Sequence, residues 1–324
     1  MGKLSSVVLA VMPWMIIVLL LGAALFIKPQ SFGEAVTPSA REGRDRFYGI
    51  AVPEPKHIWL AGNNGKVVLS TDLGKTWLIQ KTSTPLHLQD VAAWDVNKAV
   101  AVGNDGIVLV TEDGGAHWEL AEAPKSEVFN KLIRVMAIAE GRAIAVGAMG
   151  AILISDDFGR HWRRLRAEED VAWNDVGVNG DIFWVVGEFG RLLKSMDDGV
   201  TWQEITSPVE SSLTGIEFRD SLNGVVVGLE GVILTTSDGG ESWELQEKIT
   251  EEHLFDVAGS ANGWLAVGNK NIALVSAGST GVWQAKRLSG QDLAWHTEVT
   301  RVDKKFYITG ASVGIYDRTQ WLKL

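Results

Sequence analysis

Five aspartates recur in one short motif, and their carboxylates are the most regular candidates for chemistry in this chain. Each is followed by a Gly two residues later and a Trp five residues later. The sets are Asp72, Gly74, Trp77; Asp113, Gly115, Trp118; Asp157, Gly159, Trp162; Asp197, Gly199, Trp202; and Asp238, Gly240, Trp243. A carboxylate can transfer protons, but a turn Asp also accepts hydrogen bonds from nearby backbone N–H groups, and Gly adopts positive φ without steric cost. We interpret the motif as structural, with its Trp packed between sheets.

Other reactive side chains are few. The chain has no Cys, which excludes disulfides, thiolate metal sites and a Cys nucleophile. The six His show no metal-ligand spacing, and His117 and His161 occupy the motif position held by Thr76 and Thr201 elsewhere, so we interpret them as packing variants. Neither a GxGxxG motif nor a P-loop is present. We therefore predict no catalytic residue, no metal site and no cofactor.

A longer repeat positions these motifs. Each copy has an apolar strand ending in Gly, a short loop, a second apolar strand, the acidic turn and the Trp. The first glycines of the seven copies are Gly62, Gly103, Gly147, Gly187, Gly228, Gly268 and Gly310. A repeat of about 40–45 residues with four short strands is typical of a β-propeller blade. The last two turns depart from the motif: the sixth has Gly278 in place of Asp, and the seventh has one residue fewer between Asp317 and Trp321.

The predicted fold class is all-β: a seven-bladed β-propeller preceded by one N-terminal transmembrane helix. The propeller is expected over residues 46–324. Its blades are expected at about 46–81, 86–122, 130–166, 171–206, 211–247, 252–288 and 295–324.

The N-terminal segment has the length of a membrane span. Leu4 to Ile27 is uncharged, and its 24 residues would reach roughly 36 Å as a helix, against about 30 Å of bilayer core. We predict an anchor or uncleaved signal over 1–28 and a tether over 29–45, with cleavage left open. Lys3 favours a cytoplasmic amino terminus, which places the propeller on the periplasmic side of the inner membrane.

Net charge limits the class of partner. The chain carries a formal charge of −10 and a pI near 5.2, whereas nucleic-acid binding needs a basic surface. We therefore predict no nucleic-acid partner.

The acidic turns match the Asp-box, or bacterial neuraminidase repeat, and the wider pattern resembles the photosystem II assembly and stability factor family of seven-bladed propellers. In photosynthetic organisms the resemblance implies a lumenal chaperone for an early reaction-centre subunit; other bacteria have similar envelope proteins. This chain departs from the photosynthetic pattern in having an apolar helix and no lipobox Cys. We expect a non-catalytic, membrane-tethered assembly or accessory factor whose partner is a membrane protein or membrane protein complex: photosystem II on the thylakoid lumen side, or elsewhere an envelope or transporter complex.

The alternative is a sialidase-like glycoside hydrolase or a carbohydrate-binding propeller. Such hydrolases need an Arg cluster, a Tyr nucleophile supported by Glu, and an Asp acid/base. Of three Tyr, Tyr48 lies on a predicted innermost strand without an evident Arg trio, and Phe218–Arg219 lacks the Ile-Pro of the neuraminidase signature. These departures favour the non-catalytic hypothesis.

A docking surface is predicted on the face opposite the Asp-boxes, where some loops carry apolar residues and their counterparts in the first two blades carry Asn and Asp. An apolar patch in a polar rim is typical of a protein interface, although these side chains could instead pack against neighbouring loops. The predicted partner-binding residues are Phe129, Met149, Trp173, Phe189 and Leu229.

Two charged clusters leave alternatives open. On the innermost strands, the axial positions are Gly49, Asp90, Arg134, Asp175, Gly215, Asp256 and Glu298. These side chains could satisfy backbone groups and water, or form an anionic channel that holds cations. The basic run containing Arg160, Arg163, Arg164 and Arg166 could be a solvated edge strand, or it could bind an acidic partner or lipid headgroups.

Overall fold

The computed structural model describes residues 40–278, 282–290 and 292–324, and, in the N-terminal segment, residues 12, 14–20 and 22. The chain divides into two compact units, Met1–Ser39 and Ala40–Leu324. Residues 14–20 are helical, but no helix among the described residues is long and apolar enough to cross a membrane. The other residues of the predicted anchor, and residues 29–39 of the predicted tether, lie outside the described residues.

The second unit is a ring of seven four-stranded antiparallel sheets, and the prediction of a seven-bladed propeller is confirmed. The first three blades contain β1 (Phe47–Glu54), β2 (His57–Gly62), β3 (Val67–Ser70), β4 (Leu78–Gln80); β5 (Leu88–Ala93), β6 (Ala99–Gly103), β7 (Val108–Thr111), β8 (Glu119–Leu120); and β9 (Leu132–Ala137), β10 (Ala143–Gly147), β11 (Ala151–Ser155), β12 (Arg163–Arg164). The fourth and fifth contain β13 (Trp173–Asn179), β14 (Ile182–Gly187), β15 (Leu192–Ser195), β16 (Gln203–Ile205); and β17 (Leu213–Phe218), β18 (Gly224–Gly228), β19 (Ile233–Thr236), β20 (Glu244–Leu245). The last two contain β21 (Leu254–Ser260), β22 (Gly263–Gly268), β23 (Ile272–Val275), β24 (Gln284–Arg287); and β25 (His296–Val302), β26 (Lys305–Gly310), β27 (Gly314–Tyr316), β28 (Trp321–Lys323).

Each sheet pairs its four strands in sequence order, so every blade is contiguous and, among the described residues, no strand is exchanged between the first and last blades. Short 3-10 turns interrupt the loops at Asn63–Gly65, Ala139–Gly141, Glu188–Gly190, Leu229–Gly231 and Asn269–Asn271. The first strand of each blade lies innermost and the fourth lies at the rim. The Asp-box turns, which join third to fourth strands, define the lower face of the ring, and the loops that join second to third strands lie on the upper face.

The core is divided among the spaces between neighbouring blades. Second strands such as β6 and β10 are buried at every residue, because each sheet is covered on both faces and its middle strands are therefore apolar throughout. Between the first two blades, Trp59 and Leu69 pack with Leu88 and Leu109. Burial between sheets is therefore what holds the ring together.

Side-chain packing and side-chain-to-backbone hydrogen bonds close the ring between the seventh and first blades. Leu60 and Val68 of the first blade pack with Tyr307 and Ile315 of the seventh. The Oγ1 of Thr297 donates to the carbonyl oxygen of Tyr48 at 2.9 Å. This joint is thus held by non-covalent contacts alone, whereas at the other six joints the polypeptide chain also connects the two blades.

The turns of the sixth and seventh blades, which depart from the Asp-box motif, differ from the other five. In the seventh blade, Oδ1 of Asp317 accepts backbone N–H groups from Thr319 and Gln320, each at 2.9 Å, which closes a turn shorter than the Asp-box. Part of the sixth turn, residues 279–281, lies outside the described residues.

Candidate functional site

The Asp-box carboxylates hold their own turns. Oδ1 of Asp72 accepts the backbone N–H of Thr76 at 2.9 Å, and Oδ2 accepts its hydroxyl at 2.7 Å. The Ser70 hydroxyl donates to Oδ1 at 2.9 Å and accepts the backbone N–H of Gly74 at 2.8 Å. The N–H of Thr76 contributes most to lowering the pKa of Asp72 to about 2. An ionised carboxylate with these donors is suited to fixing a turn and poorly suited to proton transfer near neutral pH.

The same hydrogen bonds recur at Asp113, Asp157, Asp197 and Asp238. Nδ1 of His117 lies 2.6 Å from Oδ2 of Asp113, and its side chain is 81% exposed. His161 is placed in the same way on Asp157. These His therefore take the place of the Thr hydroxyl as exposed hydrogen-bonding groups, which corrects their interpretation as packing variants.

The Gly and Trp positions of the Asp-box pack against neighbouring side chains. Gly240 has φ of +89°, and a Cβ there would lie 2.4 Å from a ring carbon of Trp184, so no other residue fits. Among the motif Trp, Trp118, Trp162 and Trp243 are buried, whereas Trp77 and Trp202 are half-buried. The motif thus supports the blades mechanically.

Carboxylates at the ring axis tie neighbouring blades together. Each lies on the innermost strand of one blade and accepts a backbone N–H from the innermost strand of the next. The oxygen–nitrogen distances are 2.8 Å for Asp90 with Val135, 2.8 Å for Asp175 with Ile216, 2.8 Å for Asp256 with Val299, and 2.7 Å for Glu298 with Ile50. Four of the seven joints, including the closing one, therefore use a carboxylate.

Glycine or arginine occupies the remaining axial positions. At Gly49 a Cβ would lie 2.5 Å from the Cα of Asp90, and at Gly215 it would lie 2.9 Å from the Cα of Asp256. The backbones of neighbouring blades therefore approach too closely at these two joints for any residue other than Gly. Arg134 fills the third position.

Arg134 forms ion pairs across the axis. Its guanidinium nitrogens lie 3.0 Å from Asp175, 3.6 Å from Asp256 and 3.3 Å from Glu298. Burial raises the pKa of Asp175, Asp256 and Glu298, and the Arg134 charge opposes this rise. The axial groups therefore satisfy backbone N–H groups and one arginine. No group of acidic or His side chains in the described chain could hold a metal ion.

Below Arg134 the axis widens into a cavity of about 440 Å³ whose lining includes Glu217 and Arg301. Burial is the main reason that the pKa of Glu217 is raised to about 8, and the charges of Asp256 and Asp175 raise it further. The folded protein therefore favours the protonated form of Glu217 more than water does.

Replacing Glu217 by Gln should flatten the pH dependence of stability. The pKa of Glu217 in the folded protein lies above its ordinary value. The protonated side chain therefore makes its full contribution to the free energy of unfolding below about pH 4.5, and this contribution is lost as pH rises through about 8. Gln cannot ionise. We therefore compare the free energy of unfolding of the variant with that of wild type, by urea unfolding, at pH 4 and at pH 9. The difference should favour the variant by about 1–3 kcal/mol more at pH 9 than at pH 4, after allowing for solvent screening. A difference that is constant with pH would contradict the prediction.

The upper face carries exposed and half-buried apolar side chains on the loops of the third to fifth blades. Phe189 is 69% exposed and Phe129 is 55% exposed, whereas Met149 and Leu229 are half-buried. Val128, which sequence reasoning missed although it adjoins Phe129, is 75% exposed. We call these five residues the upper apolar patch.

The structure corrects one member of the predicted docking set. Trp173 is 0% exposed, and the guanidinium of Arg191 lies 5.0 Å above its ring. Trp173 is the first residue of β13, and its side chain points into the space between two blades. Leu132, the first residue of β9, is buried in the same way. Trp173 therefore belongs to the core.

Two members of the upper apolar patch have a left-handed backbone. Phe189 has φ of 58° and Met149 has φ of 54°. The corresponding turn position holds polar residues in other blades: Asn64, Asp105, Glu230 and Lys270. This conformation is most easily adopted by Gly, Asn and Asp, and is costly for bulky residues. An exposed Phe in this turn gains little burial to offset that cost.

The geometry around Tyr48 does not favour a hydrolase. Its ring stacks on Trp295 at 5.7 Å between centroids, beside an upper axial hollow whose lining contains one arginine, Arg134, and no carboxylate. The hydroxyls of Tyr307 and Tyr316 donate to the backbone carbonyls of Pro55 and Arg318. Among the described residues, none of the three Tyr is thus placed with the Arg trio that a sialidase would use.

The basic run of the third blade forms ion pairs with nearby acids. Arg164 lies 3.7 Å from Glu168, and Arg166 lies 3.8 Å from Glu169. Arg160 pairs with Glu112 of the second blade at 3.0 Å. These ion pairs compensate much of the positive charge of the basic run without an external partner.

Comparison with known proteins identifies the family. The model of a family described as photosynthesis system II assembly factor YCF48 matches residues 80–172 and 200–306, more than half of the chain. The photosystem II assembly lipoprotein Ycf48 of Synechococcus sp. (strain CC9902) is 24% identical over 58% of this chain and 45% of its own length. The chloroplastic photosystem II stability/assembly factor HCF136 of Cyanidioschyzon merolae (strain NIES-3377 / 10D) is 44% identical over 14% of this chain and 11% of its own length. The chain thus matches less than half the length of these curated relatives.

A solved structure described as YCF48 bound to D1 peptide has a similar fold. Its TM-score is 0.69 at 19% sequence identity, and the match covers 84% of this chain and 91% of that one. The resemblance suggested by the Asp-boxes is confirmed. By the extent of the family match, this chain belongs to the photosystem II assembly factor YCF48 family.

Proposed function

We propose that this chain is a non-catalytic, membrane-tethered propeller that binds a membrane protein during the assembly or upkeep of a larger complex. The observation that carries the proposal is the upper apolar patch, in which exposed Phe189 occupies a strained turn. Aromatic side chains held in place before binding lose little freedom on association, and such residues often dominate interface energy.

The relatives suggest the kind of partner. They are named photosystem II assembly factors, and one solved YCF48 structure holds a D1 peptide. We therefore expect a peptide segment of a membrane protein as ligand: a photosystem II subunit in a photosynthetic cell, or a subunit of an envelope or transporter complex elsewhere.

Several observations support a role without catalysis. The Asp-box carboxylates are occupied by turn hydrogen bonds, as at Asp72 and Asp113. The axial carboxylates accept backbone N–H groups or pair with Arg134. Each carboxylate set thus already has a structural use, which leaves the upper apolar patch for recognition.

Affinity capture tests the proposal. The full chain should be tagged at its carboxyl terminus, expressed in its own organism, and purified from detergent-solubilised membranes for mass spectrometry. We expect one membrane protein or complex to be enriched over a tagged unrelated propeller. Turnover of a fluorogenic sialoside by the purified chain, with no membrane protein enriched, would contradict the proposal and favour the hydrolase alternative.

We further propose that the segment before the propeller anchors it, with the propeller on the periplasmic or lumenal side. The uncharged run from Leu4 to Ile27 and the preceding Lys3 support this orientation. Alkaline extraction should leave the chain in the membrane pellet, and protease added to spheroplasts should digest the propeller. Protection in intact spheroplasts would contradict the orientation.

A further inference from the structure

Charge is distributed unevenly around the ring. Residues 40–81 and 295–324, which comprise the first and seventh blades and the segment leading into them, contain twelve basic and seven acidic residues. Residues 82–294 contain sixteen basic and thirty-two acidic residues. An acidic protein thus has a basic sector where its first and last blades meet.

Exposed apolar side chains lie on the rim of the same sector. Leu78 and Ile79 of β4 are 62% and 50% exposed, and Leu322 of β28 is 59% exposed. Consecutive strand residues point to opposite faces, so both faces of the edge strand β4 present an apolar side chain. A Cβ at Gly74 would lie 2.7 Å from a methyl carbon of Leu324, which shows that the end of the seventh blade lies against the first Asp-box turn.

Exposed lysines flank these apolar residues. Lys75 lies three positions before Leu78, the first residue of β4, Lys81 follows β4 directly, and Lys323 adjoins Leu322; all three are exposed. We call these three lysines together with Leu78, Ile79 and Leu322 the basic edge. Leucine and isoleucine beside lysine suit an anionic lipid surface, because apolar side chains enter the headgroup boundary while each lysine is attracted to the anionic headgroups.

The start of the propeller unit is fixed at this edge. The guanidinium of Arg41 lies 5.2 Å from the ring centroid of Trp77, and its Nη1 donates to the carbonyl oxygen of Leu324 at 2.7 Å. A tether formed by the preceding residues would therefore join the propeller beside the basic edge. This inference rests on the proposed membrane anchor: attachment there would keep this sector, rather than the acidic blades, close to the membrane.

We propose that the basic edge rests on an anionic lipid surface, so that the ring stands on the rim of its first and seventh blades. The upper apolar patch, in the third to fifth blades, then lies away from the lipid and open to a partner. A single membrane anchor leaves a domain free to tumble, whereas an anchor plus a basic surface gives a second attachment. The basic edge thus sets the orientation of the propeller.

Single-cysteine labelling tests this orientation, because the native chain has no Cys. Leu78→Cys and Leu245→Cys should be made in the full chain and labelled with the polarity-sensitive fluorophore NBD. Leu245 is the matched control: it lies on the outer strand β20 of the fifth blade and is 52% exposed. The labelled chains are reconstituted into nanodiscs of phosphatidylcholine, with or without phosphatidylglycerol.

With phosphatidylglycerol present, NBD emission at position 78 should rise several-fold and shift to shorter wavelength, while emission at position 245 should not change. High salt, or Glu at Lys75, Lys81 and Lys323 together, should remove the rise because the attraction is electrostatic. Equal emission at the two positions in anionic nanodiscs would overturn the proposal. A rise at position 78 caused by an acidic protein but not by anionic lipid would also overturn it. Neither outcome depends on whether the upper apolar patch binds its partner.

Discussion

Replacing Arg134 by Met should lower the free energy of unfolding by about 3–5 kcal/mol, because it leaves buried carboxylates without their counter-charge. The Arg134 side chain is 12% exposed and pairs with acids from three other blades. Methionine fills a similar volume, so the loss would come from charge rather than from a cavity. Urea unfolding at pH 7, followed by Trp fluorescence, would measure it.

Two further variants separate this charge effect from general damage. Adding Glu298→Gln to Arg134→Met should recover part of the loss, because Gln can still accept the backbone N–H of Ile50 while carrying no charge. The loss should also shrink at pH 5, where the buried acids can protonate. Arg163→Met is the control: its ion pair is exposed, with 3.9 Å between Arg163 and Asp156, and it should change stability by less than about 1 kcal/mol. A loss as small as this control at Arg134 would contradict the prediction.

Replacing Phe189 and Met149 together by Asp should abolish capture of the membrane partner. If each residue contributes about 2 kcal/mol to the interface, the pair accounts for roughly a thousandfold in Kd. Asp tolerates the left-handed backbone of these turns better than Phe or Met does, and Asp105 already occupies the same turn position in the second blade. Folding should therefore be preserved, and loss of capture would report on binding alone.

The matched control for this double variant lies on the lower face. Val200, in the fourth Asp-box turn, is 75% exposed, and Val200→Asp should leave capture unchanged. A folded Phe189→Asp/Met149→Asp protein that captures the partner as well as wild type would remove the upper apolar patch from the proposal. Equal loss in the Val200→Asp control would show that added negative charge, rather than the patch, is responsible.

The blade count could be predicted from sequence because the signal is local and repeated. The first glycine and the closing Trp of each copy mark the same positions in successive blades, and a middle strand buried on both faces shows a continuous apolar run. Repeat alignment also placed Asp90 and Asp256 at the axis. It could not show that each carboxylate accepts an N–H from the next blade, because that contact depends on the radius of the closed ring.

Two errors have local causes. Trp173 was placed on the surface because it begins a blade, although it precedes Asp175 by the same two residues that separate buried Leu88 from Asp90; that spacing would have placed it in the core. His117 was expected to pack, but the motif position that it shares with Thr76 is exposed and hydrogen-bonded. The ion pairs of Arg134 join blades distant in sequence, and no local pattern predicts them.

In the part of the chain that the structure describes, the ring closes without an exchanged strand, and this has a mechanical consequence. A pull transmitted through Arg41 acts on Trp77 of the first blade and on Leu324 of the seventh, so the load is shared by two blades rather than carried by one. Arg41 thus contacts both sides of the seam. Tension from a membrane would thus be borne at the joint where the ring would otherwise part most easily.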